Sequence, residues 1–207
     1  HKTEKRLFFL TYIPVFGILF QKEVRPVKKQ RIAVFCGSRT GKGEAYMELA
    51  RQVGKKLAAD GRTLVFGGCD TGLMGAVSRS VYENGGRVMS MRIRGLEDAF
   101  APEIVAEDEM LENVQLRKRR LIEKADACLV LPGGFGTLDE IGDVLSMTQL
   151  GDIKRPIGLM NVNGFFDGLM QLADTMLREG FMSEKDRALL IAAEDAETLL
   201  QALDRAE

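Results

Sequence analysis

The stretch LPGGFGTLDE, residues 131–140, sets three glycines and a threonine after an apolar run and puts a carboxylate, Glu140, three residues beyond Thr137. Glycines that follow a strand let backbone N–H groups approach an anion, and the positive end of the next helix adds to that attraction. The same letters also spell T-x-x-E, a capping box in which Glu140 reaches back to the start of its own helix. Taken alone, the segment supports both a phosphate cradle beside a catalytic acid and an ordinary capped turn.

A second group shifts the balance. In EMLENVQLRKRRLIEKA, residues 109–125, Met110, Val114 and Leu121 recur at helical spacing, and Arg117 falls on the same stripe with Lys118 beside it. A guanidinium on an apolar stripe must find an anion or reach solvent, because burying it unpaired is costly. Arg119 and Glu123 are an i,i+4 pair that exposure on a helix explains without any functional role. Arg117 therefore either faces an anion near Glu140, with Lys118 beside it, or snorkels to the helix edge.

Two more glycine turns follow apolar runs: CGSRTGKG at 36–43 and GGCDTGLMG at 67–75. In an open α/β sheet such turns gather at the carboxyl ends of the strands, so all three can line one crevice for a phosphorylated ligand. Ser38 in the first turn and Gly68 in the second join Gly133, Gly134, Phe135, Gly136 and Thr137 as candidate substrate contacts. Neither common nucleotide fingerprint fits. Gly37 to Lys42 is one residue short of G-x-x-x-x-G-K-[ST], and Asp139 stands where G-x-G-x-x-G needs its last glycine.

The elements that must hold these groups are legible as alternating short apolar runs and longer amphipathic ones, the mark of βαβ units and a doubly wound parallel sheet. Strands are expected at Ile32–Cys36, Thr63–Phe66, Arg87–Met91, Cys128–Leu131 and Pro156–Met160. Helices are expected at Glu44–Ala59, Leu73–Glu83, Glu109–Ala125, Leu138–Leu150, about Phe166–Glu179 and Ala196–Ala206. Residues 92–108 read as a polar, acidic loop long enough to suggest function.

Composition narrows the chemistry. The 207 residues are 45% hydrophobic and 29% charged, with a net charge of −1 that gives no reason to expect a nucleic-acid partner. His1 is the only histidine, which removes Ser-His and Cys-His pairs and most transition-metal sites. Cys36, Cys69 and Cys128 form no C-x-x-C pair and suggest reduced thiols in a cytoplasmic protein. Residues 7–20 are apolar but contain Pro14 and Gly17 and are short for a membrane span. The chain thus reads as an apolar and basic extension, 1–30, before one Rossmann-like domain, 31–207, with no metal or cofactor called for.

PGGFGTLDE, the Arg117-Lys118 pair upstream of it, VFCGS at 34–38, GLMG at 72–75, TQLG at 148–151 and PIGLMNVNGFF at 156–166 together resemble the Lonely Guy family of cytokinin-activating nucleotide phosphoribohydrolases. The resemblance runs from about Ile32 to Phe181. It implies a Rossmann-like sheet, a homodimer or an assembly of dimers, and hydrolysis of the N-glycosidic bond of a purine nucleoside 5′-monophosphate. It further implies that Gly133–Thr137 hold the 5′-phosphate, that Glu140 faces the ribose with Arg117 as its catalytic partner, and that Lys118, Glu103 and Ser146 contact the substrate. Arg117 is also expected to keep Glu140 ionised. Val114, Cys69 and Met147 depart from the family pattern and bear on the choice between plain and N6-prenylated AMP. Two other functions share parts of this pattern: relatives labelled lysine decarboxylase, and carriers of the molybdenum cofactor with a similar glycine turn.

Overall fold

The structure, a computed structural model, describes residues 28–95 and 101–206. In chain order the elements are β1 (Arg31–Phe35), α1 (Ala45–Ala59), β2 (Thr63–Phe66), α2 (Gly72–Glu83), β3 (Arg87–Ile93), a 3-10 turn (Pro102–Ile104), β4 (Glu107–Leu111) and α3 (Val114–Lys124). There follow β5 (Ala127–Val130), α4 (Phe135–Gln149), β6 (Ile157–Met160), a second 3-10 turn (Val162–Gly164), α5 (Asp167–Arg178), the short α6 (Glu184–Arg187), β7 (Leu190–Ala193) and α7 (Ala196–Arg205).

All strand pairs are parallel, and the sheet runs β4-β3-β2-β1-β5-β6-β7. The chain winds outward from β1 to β4, returns to the other side of β1 as β5, and winds outward again. The order therefore reverses between β1 and β5, where Ile32 lies opposite Ala127 and Phe35 opposite Val130. Loops leaving β1 and β5 diverge to opposite faces there and leave a crevice at the carboxyl ends.

The strands are buried on both faces, as a sheet covered by helices on each side requires. Ile32, Val34, Leu64, Phe66 and Leu129 pack under α1, α2 and α7, while Ala33, Phe35, Val65 and Val130 pack under α3, α4 and α5. This alternation is the two-residue period of an extended chain. α1 and α2 close tightly because Gly54 has no side chain; a Cβ there would lie 2.6 Å from the Val77 carbonyl oxygen.

The doubly wound parallel fold agrees with the sequence reading, with three corrections. Residues 109–125 are not one helix: Glu107–Leu111 is the edge strand β4, and α3 begins only at Val114. Met110 accordingly belongs to a strand, not to the stripe that carries Arg117. β3 extends to Ile93, so the expected loop 92–108 is shorter, and its residues 96–100 lie outside those described. The strand β7 was not anticipated. The apolar segment 7–20 also lies outside the described residues, among which no helix is long and apolar enough to cross a membrane.

A buried ion pair latches the last helix to the sheet. Arg62, 3% exposed at the start of β2, donates to both carboxylate oxygens of Asp204 on α7 at 2.8 Å and to the Lys29 carbonyl oxygen at 2.9 Å. Removing Asp204 leaves the buried guanidinium with the Lys29 carbonyl and the longer contact to the Asp60 carboxylate at 3.3 Å, which replace little of what is lost. Asp204→Ala is expected to lower unfolding free energy by about 3 kcal/mol in urea denaturation; a loss under ~0.5 kcal/mol would show that the latch is replaceable.

Candidate active site

The third glycine turn opens α4. Its N-cap is Gly134 and its first residue Phe135, one turn earlier than Leu138, so Thr137 and Glu140 are the third and sixth residues of the helix. No side chain caps this end, and the capping box is not formed. The leading amides of any helix lack an intrahelical acceptor, and here they face a cavity with the helix dipole behind them. The glycines divide by role. A Cβ on Gly133 would collide with the Thr137 hydroxyl and come within 3.0 Å of the Gly37 nitrogen, so the turn needs glycine to close. A Cβ on Gly134 or Gly136 meets nothing within 4 Å, which means that their bareness leaves open space at the helix end.

That space is a cavity of about 710 Å³ at the switch point, walled by the first turn (Gly37 to Gly41), the third turn, and the facing sides of α3 and α4. The first and third turns are tied by the Gly37 amide donating to the Pro132 carbonyl at 3.1 Å, and the first and second by the Leu73 amide donating to the Gly37 carbonyl at 3.1 Å. Tyr46 and Phe165 add an aromatic wall, their ring centroids 5.9 Å apart.

Arg117 and Glu140 both line this cavity. α3 is started by Asn113, whose side chain accepts from the Leu116 amide at 3.0 Å, and Arg117 lies one turn in. Its guanidinium rests on the second turn, where a Cβ on Gly67 would be 3.3 Å from Nη1. Its Nε is buried and has no hydrogen-bond partner. A buried donor without an acceptor at the edge of a cavity is a place for an anion. Burial pushes the Glu140 carboxyl up to about 7, with Asp139 and Asp143 adding to the rise and Arg117 and Lys118 opposing it. The expectation that Arg117 keeps Glu140 ionised is thus qualified: Arg117 pulls in that direction, but loss of hydration exceeds the pull and the carboxyl is pushed up to about 7.

The remaining sequence candidates separate. Ser38, Gly133, Gly134, Phe135, Gly136 and Thr137 line the cavity, with Thr137 buried and Phe135 at 91% exposed. Lys118 also borders it, but its ammonium is engaged by Asp139 at 2.7 Å and Asp143 at 2.8 Å. Gly68 lies away from the lining, under the aliphatic stem of Arg92. Glu103 lies on the 3-10 turn with its carboxylate 3.8 Å from Arg79, and Ser146 is exposed and donates to the Asp143 carbonyl at 3.2 Å; neither borders the cavity. Of the three departures from the family pattern only Val114 lines the cavity, while the Cys69 thiol sits 3.0 Å from the Thr71 hydroxyl and Met147 packs on the core. Sequence reasoning missed Asp139 and Asp143. Their i,i+4 spacing on one helix was the available signal.

Comparison with known proteins gives the family and the fold. Residues 74–203 match the family described as "Possible lysine decarboxylase". A cytokinin riboside 5′-monophosphate phosphoribohydrolase of Arabidopsis thaliana is 37% identical over 179 residues, covering 86% of this chain and 82% of that protein. One from Oryza sativa subsp. japonica is 38% identical over 176 residues, covering 84% and 73% respectively. Among solved structures, a molybdenum cofactor carrier protein of Chlamydomonas reinhardtii superposes with a TM-score of 0.63 at 17% identity, over 86% of this chain and 98% of that one. The molybdenum cofactor binding protein of Rippkaea orientalis gives 0.63 at 18%, over 84% and 94%. At such identities the structural likeness speaks for the fold alone.

The raised proton affinity of Glu140 carries a stability cost with a definite sign. A carboxyl whose folded value lies above its ordinary one stabilises the fold in its protonated state, fully below pH 4.5, and that contribution is lost as pH rises through about 7. Above pH 7 the wild type holds a poorly hydrated charge that a glutamine would not. Glu140→Gln is expected to be more stable than wild type at pH 8 by about 2 kcal/mol, with the difference fading by pH 5. Thermal melts at the two pH values check this, and an equal difference at both would contradict it.

Proposed function

The chain belongs to the family of the cytokinin riboside 5′-monophosphate phosphoribohydrolases, and from that premise we propose that it hydrolyses the N-glycosidic bond of a purine nucleoside 5′-monophosphate. The products are the free base and ribose 5-phosphate, and AMP and N6-modified AMP are the substrates to consider. The observation that carries this reading is Glu140, titrating near neutrality, beside Arg117 in a cavity whose floor is the open amino end of α4.

The chemistry follows from the arrangement. The 5′-phosphate sits on the amides of the α4 start, where dipole and N–H groups both favour it. Cleavage of C1′–N9 builds positive charge on the ribose, which the Glu140 carboxylate stabilises. Ionised Glu140 then takes a proton from the water that adds to C1′, and the bond electrons leave with the base, which takes up a proton. Arg117, with an unsatisfied Nε, holds the phosphate or the charge on the departing base. Glu103 and Ser146, implied by the resemblance alone, do not border the cavity in the single chain.

A decarboxylase fits the site poorly. Pyridoxal phosphate chemistry needs a lysine able to lose its proton and form an imine. Lys118 is the lysine that borders the cavity, and although burial disfavours its charge, Asp139 and Asp143 outweigh that and raise its proton affinity. The amine is thereby kept charged and engaged.

The reading extends to assembly and location. Leu138 and Leu150 at either end of α4, Leu172 and Met176 on α5, and Phe181 just beyond are exposed on the same side of the sheet. We take this apolar surface as the contact of a homodimer. The three unpaired thiols accord with a cytoplasmic protein.

Incubating the protein with a panel of nucleoside 5′-monophosphates and separating products by chromatography should show free purine. Glu140→Gln and Arg117→Ala are each expected to lower kcat/KM by about 10²–10⁴-fold. Wild-type kcat/KM should fall as pH drops through about 7, because the proton then returns to Glu140. Full activity in both variants would refute the site assignment, and release of CO₂ from lysine without release of base would refute the reaction.

A further inference from the structure

We infer that the clamp of Lys118 on Asp139 and Asp143 positions Glu140 against Arg117 and sets the charge that Glu140 faces, and that Lys118 is not a ligand of the nucleotide. The inference rests on the reading of Glu140 as the group that works on the substrate.

The geometry is that of a fastener between two helices. The Lys118 side chain on α3 is 4% exposed, and its ammonium meets carboxylates one helical turn apart on α4. An ammonium bound at two points along α4 fixes both the rotation of that helix and its position along its axis. Arg117 immediately precedes Lys118, and Glu140 immediately follows Asp139. Each therefore projects about 100° around its helix from a clamped neighbour. With the clamp closed, both groups are held toward the same cavity. A substrate phosphate drawing Lys118 away would leave two carboxylates beside Glu140 with no cation between them, which opposes such a role.

The electrostatics run through the same contacts. From α3, Arg117 and Lys118 act on Glu140 as cations, and from α4, Asp139 and Asp143 act as anions. From the sheet, Cys36 at the end of β1 and Cys128 on β5 also lie within its field; burial pushes both thiols up, Cys128 to about 12, so they stay neutral. Removing the cation of the clamp and removing one of its anions must then move Glu140 in opposite directions.

Two variants test this. Lys118→Met keeps chain length without charge and should move the acid limb of kcat/KM upward by about one pH unit. Its kcat should fall more than its KM rises, and Lys118→Arg should return the limb toward the wild-type position. Asp143→Asn, at a side chain one-third exposed, should move the limb downward by about half a unit. A readout independent of turnover is the carboxyl carbon-13 titration of Glu140 in the substrate-free protein, identified by its absence in Glu140→Gln. It should shift in the same two directions. A tenfold rise in KM for Lys118→Met with the limb and the titration in place would make Lys118 a ligand and overturn the inference, as would titrations unmoved in both variants. If no nucleotide is cleaved but the titration moves as stated, the clamp stands and the hydrolase reading falls.

Discussion

A carboxylate held partly out of water is the constraint on which the rest of this structure depends. Glu140 loses enough hydration to titrate near 7, and only nearby cations keep its charged form accessible at neutral pH. Such a group is unfavourable for folding and useful for chemistry, because a base poised near the working pH both accepts and releases a proton readily. The surrounding architecture supplies cations without letting them neutralise it: Arg117 comes from the neighbouring helix and rests on Gly67, and Lys118 is already committed to two aspartates.

The parallel sheet makes that placement possible. Reversal of strand order beside β1 lets α3 and α4 approach the cavity on one side while the first turn closes it on the other. Backbone bonds from Gly37 to Pro132 and from Leu73 to Gly37 tie the three turns together, so the open end of α4 and the side chains of Arg117 and Glu140 share one frame. The distal latch of Arg62 on Asp204 holds α7 against the strands under this frame.

Much of this was legible in the sequence, and the failures have physical causes. The glycine turns and the apolar runs of β1, β2 and β5 follow from local chemistry, while the placing of Arg117 and Glu140 at one site comes from the family resemblance, and both side chains line one cavity. The break between β4 and α3 does not: EDEML is as acceptable in a helix as in a strand, and only pairing with β3, Met89 opposite Glu107 and Ile93 opposite Leu111, makes it extended. β7, with the sequence LIAA, is likewise held extended by β6. Lys118 illustrates the same limit at the site. Arg117 and Lys118 could each serve an anion, and which one is instead engaged by carboxylates depends on rotation about the helix axis and on aspartates 21 and 25 positions from Lys118 in the chain.

The turn that begins α4 shows why a glycine-rich motif cannot be read as a unit. Gly133 is demanded by the fold, since Thr137 and the first turn occupy the space a side chain would take. Gly134 and Gly136 meet no such neighbour, so nothing in the packing of the chain itself requires them. A bare backbone costs entropy on folding, and at Gly136 it also lowers helix propensity. On the proposed function the return on that cost lies outside the chain, in an anion close to the helix amides, and the same division applies to Glu140. Packing accounts for Gly133 and Lys118; the proposed nucleotide would account for Gly134, Gly136, the unsatisfied Nε of Arg117 and the poorly hydrated carboxylate beside it.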